Sequence, residues 1–150
     1  MKRYLSLAAF LTLTVGGGAA IGVFNIPGDW YAGLQKPSFN PPNWLFGPVW
    51  TLLYVLIGVA GWRIWRRDRR SVLMKLWWVQ LVLNFLWSPV FFGVQSIGGA
   101  MAIILALLAV IVAFIATALR EDRIVAWLFV PYAIWVAFAS LLNGSIYLLN

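Results

Sequence analysis

The side chains in this sequence that could do chemistry are amides and aromatic rings placed at helical spacing. Gln80 and Asn84 stand one turn of a helix apart. Roughly the same face continues, at intervals of three and four residues, through Trp77, Trp87, Ser88 and Phe91. Such a stripe is either a point of interhelical hydrogen bonding with ordinary packing or one wall of a pocket for a flat, largely apolar ligand.

A second stripe near the C-terminus has the same character. Tyr132, Trp135, Ala139 and Asn143 follow one another at intervals of three or four residues, and Ala139 leaves space between larger neighbours. Earlier in the chain, Trp50 and Tyr54 are also one turn apart. These aromatic positions are therefore candidate pocket residues.

The residue types that are missing exclude several kinds of chemistry. The chain contains no histidine and no cysteine. Structural zinc, iron–sulfur clusters, imidazole or thiolate ligation of haem, and Cys–His or Ser–His nucleophile pairs are excluded. A haem iron could be held only by Tyr, Met or a weaker oxygen ligand. We therefore expect no metal site and no resident cofactor.

The elements that must position these residues are membrane helices. The chain is 63% hydrophobic and 10% charged, with a mean hydropathy of +0.90. Such a composition leaves too little polar surface for a soluble globule. The charges stand in short clusters that leave uncharged intervals at 4–28, 37–62, 76–119 and 124–150. The third interval is long enough for two helices joined by a break at Gln95–Gly99.

We therefore predict an all-α membrane protein, a bundle of five transmembrane helices in one domain spanning 1–150. The helices are expected at about 4–25, 45–66, 72–93, 97–119 and 123–148. The segment 26–43 is predicted to be one long loop, because three prolines between Lys36 and Asn43 exclude a helix there. A long loop of this kind is either functional or a plain spacer.

Charge position predicts the orientation. All but one of the eleven Lys and Arg residues fall on one side of the predicted topology, and Lys36 stands alone on the other. In a bacterial cell membrane the N-terminus would be cytoplasmic. The cluster Arg63–Lys75 could bind acidic lipid or nucleic acid, but a topology signal explains it more simply, and we expect no nucleic-acid partner. The four carboxylates, Asp29, Asp68, Glu121 and Asp122, all fall in loops, so none is placed for ion coupling.

The N-terminal stretch imitates a signal peptide, but its apolar run reaches Phe24 and is long enough to span a bilayer, so we expect a retained first helix.

Two surfaces of small residues permit close contact between helices. One is the pair Gly18 and Gly22. The other consists of Ala102, Ala106, Ala109 and Ala113. The pattern allows contacts inside the bundle or a homodimer seam.

Three blocks of the sequence resemble the TspO/MBR family of translocator proteins, formerly called peripheral-type benzodiazepine receptors. The first block contains Trp30-Tyr31, Lys36-Pro37, Pro41-Pro42, Phe46-Gly47 and Trp50–Tyr54. The second runs from Gln80 to Phe92, and the third from Pro131 to Asn143. Together they cover most of the chain in the family's order.

The resemblance implies a five-helix bundle, usually dimeric, with a pocket that opens toward the long loop. It implies ligands such as protoporphyrin IX and other tetrapyrroles, sterols and benzodiazepine-type compounds. Light-dependent porphyrin breakdown is a further implied activity, with Trp50 and Trp135 as its catalytic tryptophans. The full set of candidate ligand-binding residues is Trp30, Tyr31, Lys36, Pro42, Phe46, Trp50, Tyr54, Gln80, Asn84, Trp87, Ser88, Phe91, Tyr132, Trp135, Phe138, Ala139, Leu142 and Asn143.

A porphyrin has a flat apolar ring and anionic propionates, so it would use both the aromatic positions and a cation near the water boundary. Lys36 is the only cation on the expected pocket side, and we expect Lys36 or loop amides to meet a propionate. The sequence departs from the family's vertebrate sterol motif, because Leu142 and Tyr147 are followed by no basic residue. A receptor or sensor, a translocator, a sterol or lipid carrier and a porphyrin-consuming photo-oxidative enzyme all remain open.

The orientation can be tested with a reporter that is active only in the cytoplasm. Fused after Arg70, the reporter should be active, because the basic cluster is retained on the cytoplasmic side. Fused within 38–43, it should be silent. The reverse pattern would contradict the charge argument.

Overall fold

The computed structural model describes residues 1–150 and contains five long helices and one short one. Their bounds are α1 Lys2–Phe24, α2 Asp29–Ala32, α3 Asn43–Arg67, α4 Val72–Gly93, α5 Ile97–Glu121 and α6 Arg123–Leu149. All except α2 are long and apolar enough to cross a membrane. The predicted all-α, five-span architecture is confirmed, and the chain is a multi-pass integral membrane protein.

Side chains cap three of the long helices at their first turn. The Ser71 hydroxyl accepts from Met74 N at 3.1 Å at the start of α4. At the start of α5, the Ser96 hydroxyl accepts from Gly99 N at 3.0 Å. The Asp122 carboxylate does the same for α6. Each cap satisfies a backbone N–H group that has no partner within its own helix.

Helix α5 begins at Ile97, the residue predicted for its start. Gly98 and Gly99, which the sequence also assigned to the break, lie in its first turn. The chain reverses direction through Gln95, which has a left-handed backbone with φ of 60°. The Ser96 hydroxyl accepts from Gly99 N and so holds both glycines in the helix.

The long loop also differs from the prediction. The segment 26–43 was expected to contain no helix, but Asp29–Ala32 forms the single turn α2. The proline-rich part is non-helical as predicted, with Pro42 extended at φ −63° and ψ 145°. Helix α3 begins directly after it at Asn43, because proline fixes an extended conformation before the first helical residue.

The five long helices pack in a closed ring. Helix α5 lies between α4 and α6, α6 contacts α3, α3 contacts α1, and α1 closes the ring against α4. The main core contains Trp77, which is fully buried and donates from its indole Nε1 to Ile57 O at 2.9 Å. Gly61 lies against that indole ring with no room for a β-carbon. Small residues thus admit large aromatic rings between the helices.

The two small-residue surfaces have different positions. Gly18 contacts the ring of Tyr54 inside the bundle, whereas a β-carbon at Gly22 would meet nothing within 4 Å. The alanine ridge of α5, formed by Ala102, Ala106, Ala109 and Ala113, is exposed along its length. The glycine pair therefore serves packing within the bundle through Gly18, and the alanine ridge lies on the outer surface.

Two helices contain a wider turn of the π type. In α1 it spans Thr12–Gly16, and in α4 it spans Pro89–Gly93. The buried Thr14 hydroxyl donates to Tyr54 O at 2.8 Å, which ties α1 to α3. Pro89 has no N–H group and cannot continue a regular helical hydrogen-bond ladder, which accounts for the widening of α4. Phe91 and Phe92 follow at the end that faces the loop.

Candidate ligand-binding site

A chain of hydrogen bonds connects three helices in the middle of the bundle. The Tyr54 hydroxyl donates to Asn84 Oδ1 at 2.6 Å, and Asn84 Nδ2 donates to the Tyr132 hydroxyl at 2.7 Å. The Tyr132 hydroxyl donates in turn to Gln80 Oε1 at 2.8 Å. Gln80 and Tyr132 are fully buried. The two amides of α4 therefore join α3 and α6, in the manner of an interhelical hydrogen-bonding point.

Aromatic rings join α3 and α6 on the loop side of this network. We call this contact the aromatic seam; it consists of Phe46, Trp50 and Tyr54 of α3 with Tyr132, Trp135 and Phe138 of α6. The ring centroids of Phe46 and Trp135 are 5.8 Å apart, and those of Trp50 and Tyr132 are 6.4 Å apart. Both pairs meet edge to face, the favoured arrangement of aromatic rings.

The loop covers the ends of α4, α5 and α6. Tyr31 of α2 is buried against Phe91 and Phe92, with ring centroids 6.1 and 5.4 Å away. Trp30 also contacts Phe91. Burial raises the pKa of the Tyr31 hydroxyl above its usual value. The short helix α2 is thus the element that fixes the loop to the bundle.

The side-chain amide of Asn143 connects three helices next to this loop-covered cluster. The indole Nε1 of Trp87 donates to Asn143 Oδ1 at 3.0 Å, and Asn143 Nδ2 donates to Ile97 O at 3.2 Å. Leu142 is buried in the same cluster, and Trp87 stacks on Phe91 at 5.0 Å. The end of α6 is therefore tied to both α4 and α5.

A cleft of about 490 Å³ lies between the loop and the start of α3. Its lining includes Tyr31, Lys36, Asn40 and Pro42. Lys36 Nζ lies 4.5 Å from the centre of the Tyr31 ring and donates to Leu34 O at 3.3 Å. Lys36 gives this cleft a positive charge, and no residue of the aromatic seam lines it.

Three buried polar atoms have no hydrogen-bond partner. They are Asn40 Oδ1, Gln80 Nε2 and Trp135 Nε1. A buried donor without a partner costs about 1–3 kcal/mol, so each such atom calls for an explanation. Gln80 Nε2 ends the hydrogen-bond chain, and Trp135 Nε1 lies on the aromatic seam. Both are donors that an acceptor atom between the helices could satisfy.

The structure divides the predicted site residues into four groups. Tyr54, Gln80, Asn84 and Tyr132 form the polar network, and Phe46, Trp50, Trp135 and Phe138 complete the seam, with Ala139 partly buried beside the core. The cluster under the loop holds Trp30, Tyr31, Trp87, Phe91, Leu142 and Asn143. Lys36 and Pro42 lie in the cleft, and Ser88 is half-buried on α4, outside all four groups.

Three residues outside the predicted set also lie at the loop end of the bundle. Phe39 contacts Phe138 of the seam at 6.2 Å, and Asn40 lines the cleft. Asn150 donates from Nδ2 to Gln35 O at 2.9 Å and accepts from Gln35 N at 3.1 Å. Loop residues follow no periodic pattern, so helical spacing gave no signal for any of them.

Comparison with known proteins identifies a family of similar sequences. The chain matches the sequence profile of the TspO/MBR family over residues 9–149. It is 40% identical to the tryptophan-rich protein TspO of Chlorobaculum tepidum, over 99% of this chain and 98% of that protein. It is 35% identical to the tryptophan-rich sensory protein of Cereibacter sphaeroides, over 95% and 92% of the two chains. The human translocator protein is 34% identical over 91% and 85%.

Two tryptophan substitutions should separate a paired indole from an unpaired one. Trp87→Phe removes the N–H group that donates to Asn143 and leaves a buried acceptor without a partner. It should therefore lower the free energy of unfolding by about 1–3 kcal/mol more than the smaller ring alone would. Trp135→Phe removes a donor that has no partner, so it should lower the free energy of unfolding by less. Thermal unfolding of the ligand-free protein in detergent measures both. Equal losses of stability would mean that the Trp135 indole is paired after all.

Proposed function

The chain belongs to the TspO/MBR family, and on that premise we propose that it binds a tetrapyrrole such as protoporphyrin IX between α3 and α6. The protein would act as a membrane receptor or sensor, or as a translocator. The observation that carries the proposal is the aromatic seam with the unpaired, buried indole donor of Trp135. The names of two relatives, a sensory protein and a translocator protein, support these two roles.

The seam has the composition that a flat macrocycle requires. Aromatic and apolar side chains form the walls of most small-molecule sites, and a few polar groups set the ligand's orientation. Here the walls are the rings of Trp50 and Trp135, and the polar groups are the free donors of Trp135 and Gln80. The rings of α3 and α6 contact each other, so a macrocycle bound between them would separate them.

The cleft supplies the polar end of the proposed site. Lys36 is the only cation at this end of the bundle, and its ammonium group lies over Tyr31 and donates to the main-chain oxygens of Ala32 and Leu34. Those contacts are weak, of the order of 1 kcal/mol for an exposed cation and an aromatic ring. A propionate at the cleft would exchange them for a charge-assisted hydrogen bond.

The loop would close the site from the same side. Phe39 rests on Phe138 of the seam, and Trp30 and Tyr31 rest on Phe91. A ligand that enters between α3 and α6 therefore passes beneath loop side chains that can cover it. The same apolar volume would accept sterols or benzodiazepine-type compounds.

A homodimer and a cell-membrane location with a cytoplasmic N-terminus belong to the same proposal. The exposed alanine ridge of α5 supports the dimer, because small side chains let two helix backbones approach closely in a bilayer. The excess of basic residues at the end opposite the loop supports the orientation.

The Ala139→Phe variant should weaken binding of protoporphyrin IX about fivefold or more, by the roughly 1–3 kcal/mol that overpacking costs. Ala139 is half-buried beside the core, one turn from Trp135, so a benzyl group there would occupy space beside the seam. The measurement is a porphyrin titration followed by absorption in darkness. Ala137→Phe is the matched control, because Ala137 is exposed on the same helix. Equal affinity of the two variants, both folded and monodisperse, would place Ala139 outside the site.

Light-dependent porphyrin breakdown is the second candidate function. It is favoured by the positions of Trp50 and Trp135, which lie on opposite walls of the seam and each within 6 Å of another aromatic ring. An indole there could give an electron to the excited macrocycle. The protein carries no histidine or cysteine, so this reaction would rest on photochemistry rather than on acid–base catalysis.

Replacement of these tryptophans separates binding from photochemistry. Trp50→Phe and Trp135→Phe keep an aromatic wall but remove the more oxidisable indole. Both variants should retain most dark affinity for protoporphyrin IX and lose most light-driven loss of its main absorption band. Turnover equal to the parent at saturating porphyrin and matched illumination would remove the indoles from the reaction.

A further inference from the structure

The end of the bundle opposite the loop contains a second concave surface. A groove of about 600 Å³ opens between the first turn of α1, the end of α3 and the start of α6. It is lined by five arginines and one tryptophan: Arg3, Trp62, Arg63, Arg66, Arg67 and Arg123. Two acidic residues, Glu121 and Asp122, complete the lining. The groove therefore has a net charge of +3, and neither the polar network nor the seam extends to it.

Two of the arginines form hydrogen bonds within the protein, and these bonds fix one wall of the groove. Arg63 donates from Nε at 3.0 Å and from Nη2 at 2.9 Å to Asp122 Oδ2. Asp122 also caps α6 through its other oxygen. Arg67 donates to the main-chain oxygen of Glu121. These contacts join α3 to the α5–α6 turn and neutralise one of the two carboxylates.

The other three arginines make no salt bridge, because the pair Arg63–Asp122 is the only one in the structure. Arg66 and Arg3 instead lie over the indole of Trp62, with guanidinium carbons 5.1 and 5.9 Å from the ring. The indole Nε1 is fixed by hydrogen bonds to Arg3 O and the Ser6 hydroxyl, both at 3.1 Å. One ring thus holds two guanidinium groups in the groove while their N–H groups stay available.

This arrangement has the chemistry of a phosphate site. Guanidinium groups present N–H donors in a planar fork that matches phosphate oxygens, and stacking on an aromatic ring fixes their orientation. The groove lies where the helices leave the bilayer, and basic pockets between transmembrane helices bind anionic headgroups. One turn after Arg123 on the same face of α6, Trp127 is exposed and could contact an acyl chain.

We propose that this groove binds a phosphate group, carried by an anionic phospholipid headgroup or by a soluble phosphate ester. Arg3, Arg66 and Arg123 would contact the phosphate, and Arg63 and Arg67 would hold the wall of the groove. A topology signal requires only that basic residues stand on one side of the membrane. It does not require α1 and α3 each to place an arginine over one indole ring.

The test uses the full chain in detergent and titrates three probes: short-chain phosphatidylglycerol, short-chain phosphatidylcholine and glycerol 1-phosphate. Binding is followed by the rise in the thermal unfolding midpoint. Phosphatidylglycerol should stabilise the protein more than phosphatidylcholine does. Saturable stabilisation by glycerol 1-phosphate, with competition against the lipid, would assign the site to a soluble ester. No effect of that ester would assign it to the lipid.

Variants that each remove one positive charge show whether the groove itself binds the probes. Arg66→Gln and Arg3→Gln should each weaken binding about fivefold, the order expected for one basic residue near an anionic surface. Arg70→Gln is the control, because Arg70 belongs to the same basic cluster but does not line the groove. Two independent variants are used so that a folding defect in one leaves the other informative. Equal weakening in Arg66→Gln and Arg70→Gln, or equal stabilisation by the two lipids, would overturn the proposal.

Discussion

The pairing of polar groups inside the bilayer is the constraint on which the rest of the structure depends. Hydrocarbon offers no hydrogen-bond partners, so each buried amide or hydroxyl must find one within the protein. The chain from Tyr54 through Asn84 and Tyr132 to Gln80 meets this requirement and in doing so fixes α3, α4 and α6 relative to one another. The aromatic seam between α3 and α6 has its geometry because this network sets the spacing of the two helices.

Two glycines let α1 pack closely against α3 beside this network. Gly18 lets the ring of Tyr54 lie against α1, and Gly58 lets the Thr14 hydroxyl approach α3 closely enough to bond Tyr54 O. Both residues leave space only where a polar side chain of the core needs it. The unpaired donors of Gln80 and Trp135 are the exceptions to full pairing, and they lie where the proposed ligand would be.

The two ends of the bundle differ in their chemistry. At the loop end, aromatic rings cover the helices and Lys36 is the only cation. At the other end, arginines surround a groove, and the bond from Arg63 to Asp122 joins α3 to α6. Helices α3 and α6 are therefore joined by a salt bridge at the basic end and by the hydrogen-bond network in the middle of the bundle. At the loop end, the seam between them is closed only by contacts between aromatic rings. An opening of the seam at the loop end would therefore leave the other two connections intact.

The sequence by itself determined the five spans, because hydrophobic length and the positions of charges depend only on the order of residues along the chain. It also placed Gln80 and Asn84 on one face, because helical periodicity is local. It did not decide whether those amides form an interhelical hydrogen-bonding point or one wall of a pocket, since that depends on which helix faces α4. The structure showed them bonded to Tyr54 and Tyr132, and showed the alanine ridge of α5 on the outside. The packing of Tyr31 on Phe91, the contact from Asn150 to Gln35 and the arginine groove were also beyond sequence reasoning. Each joins residues far apart in the chain, and only the packing of the helices brings them together.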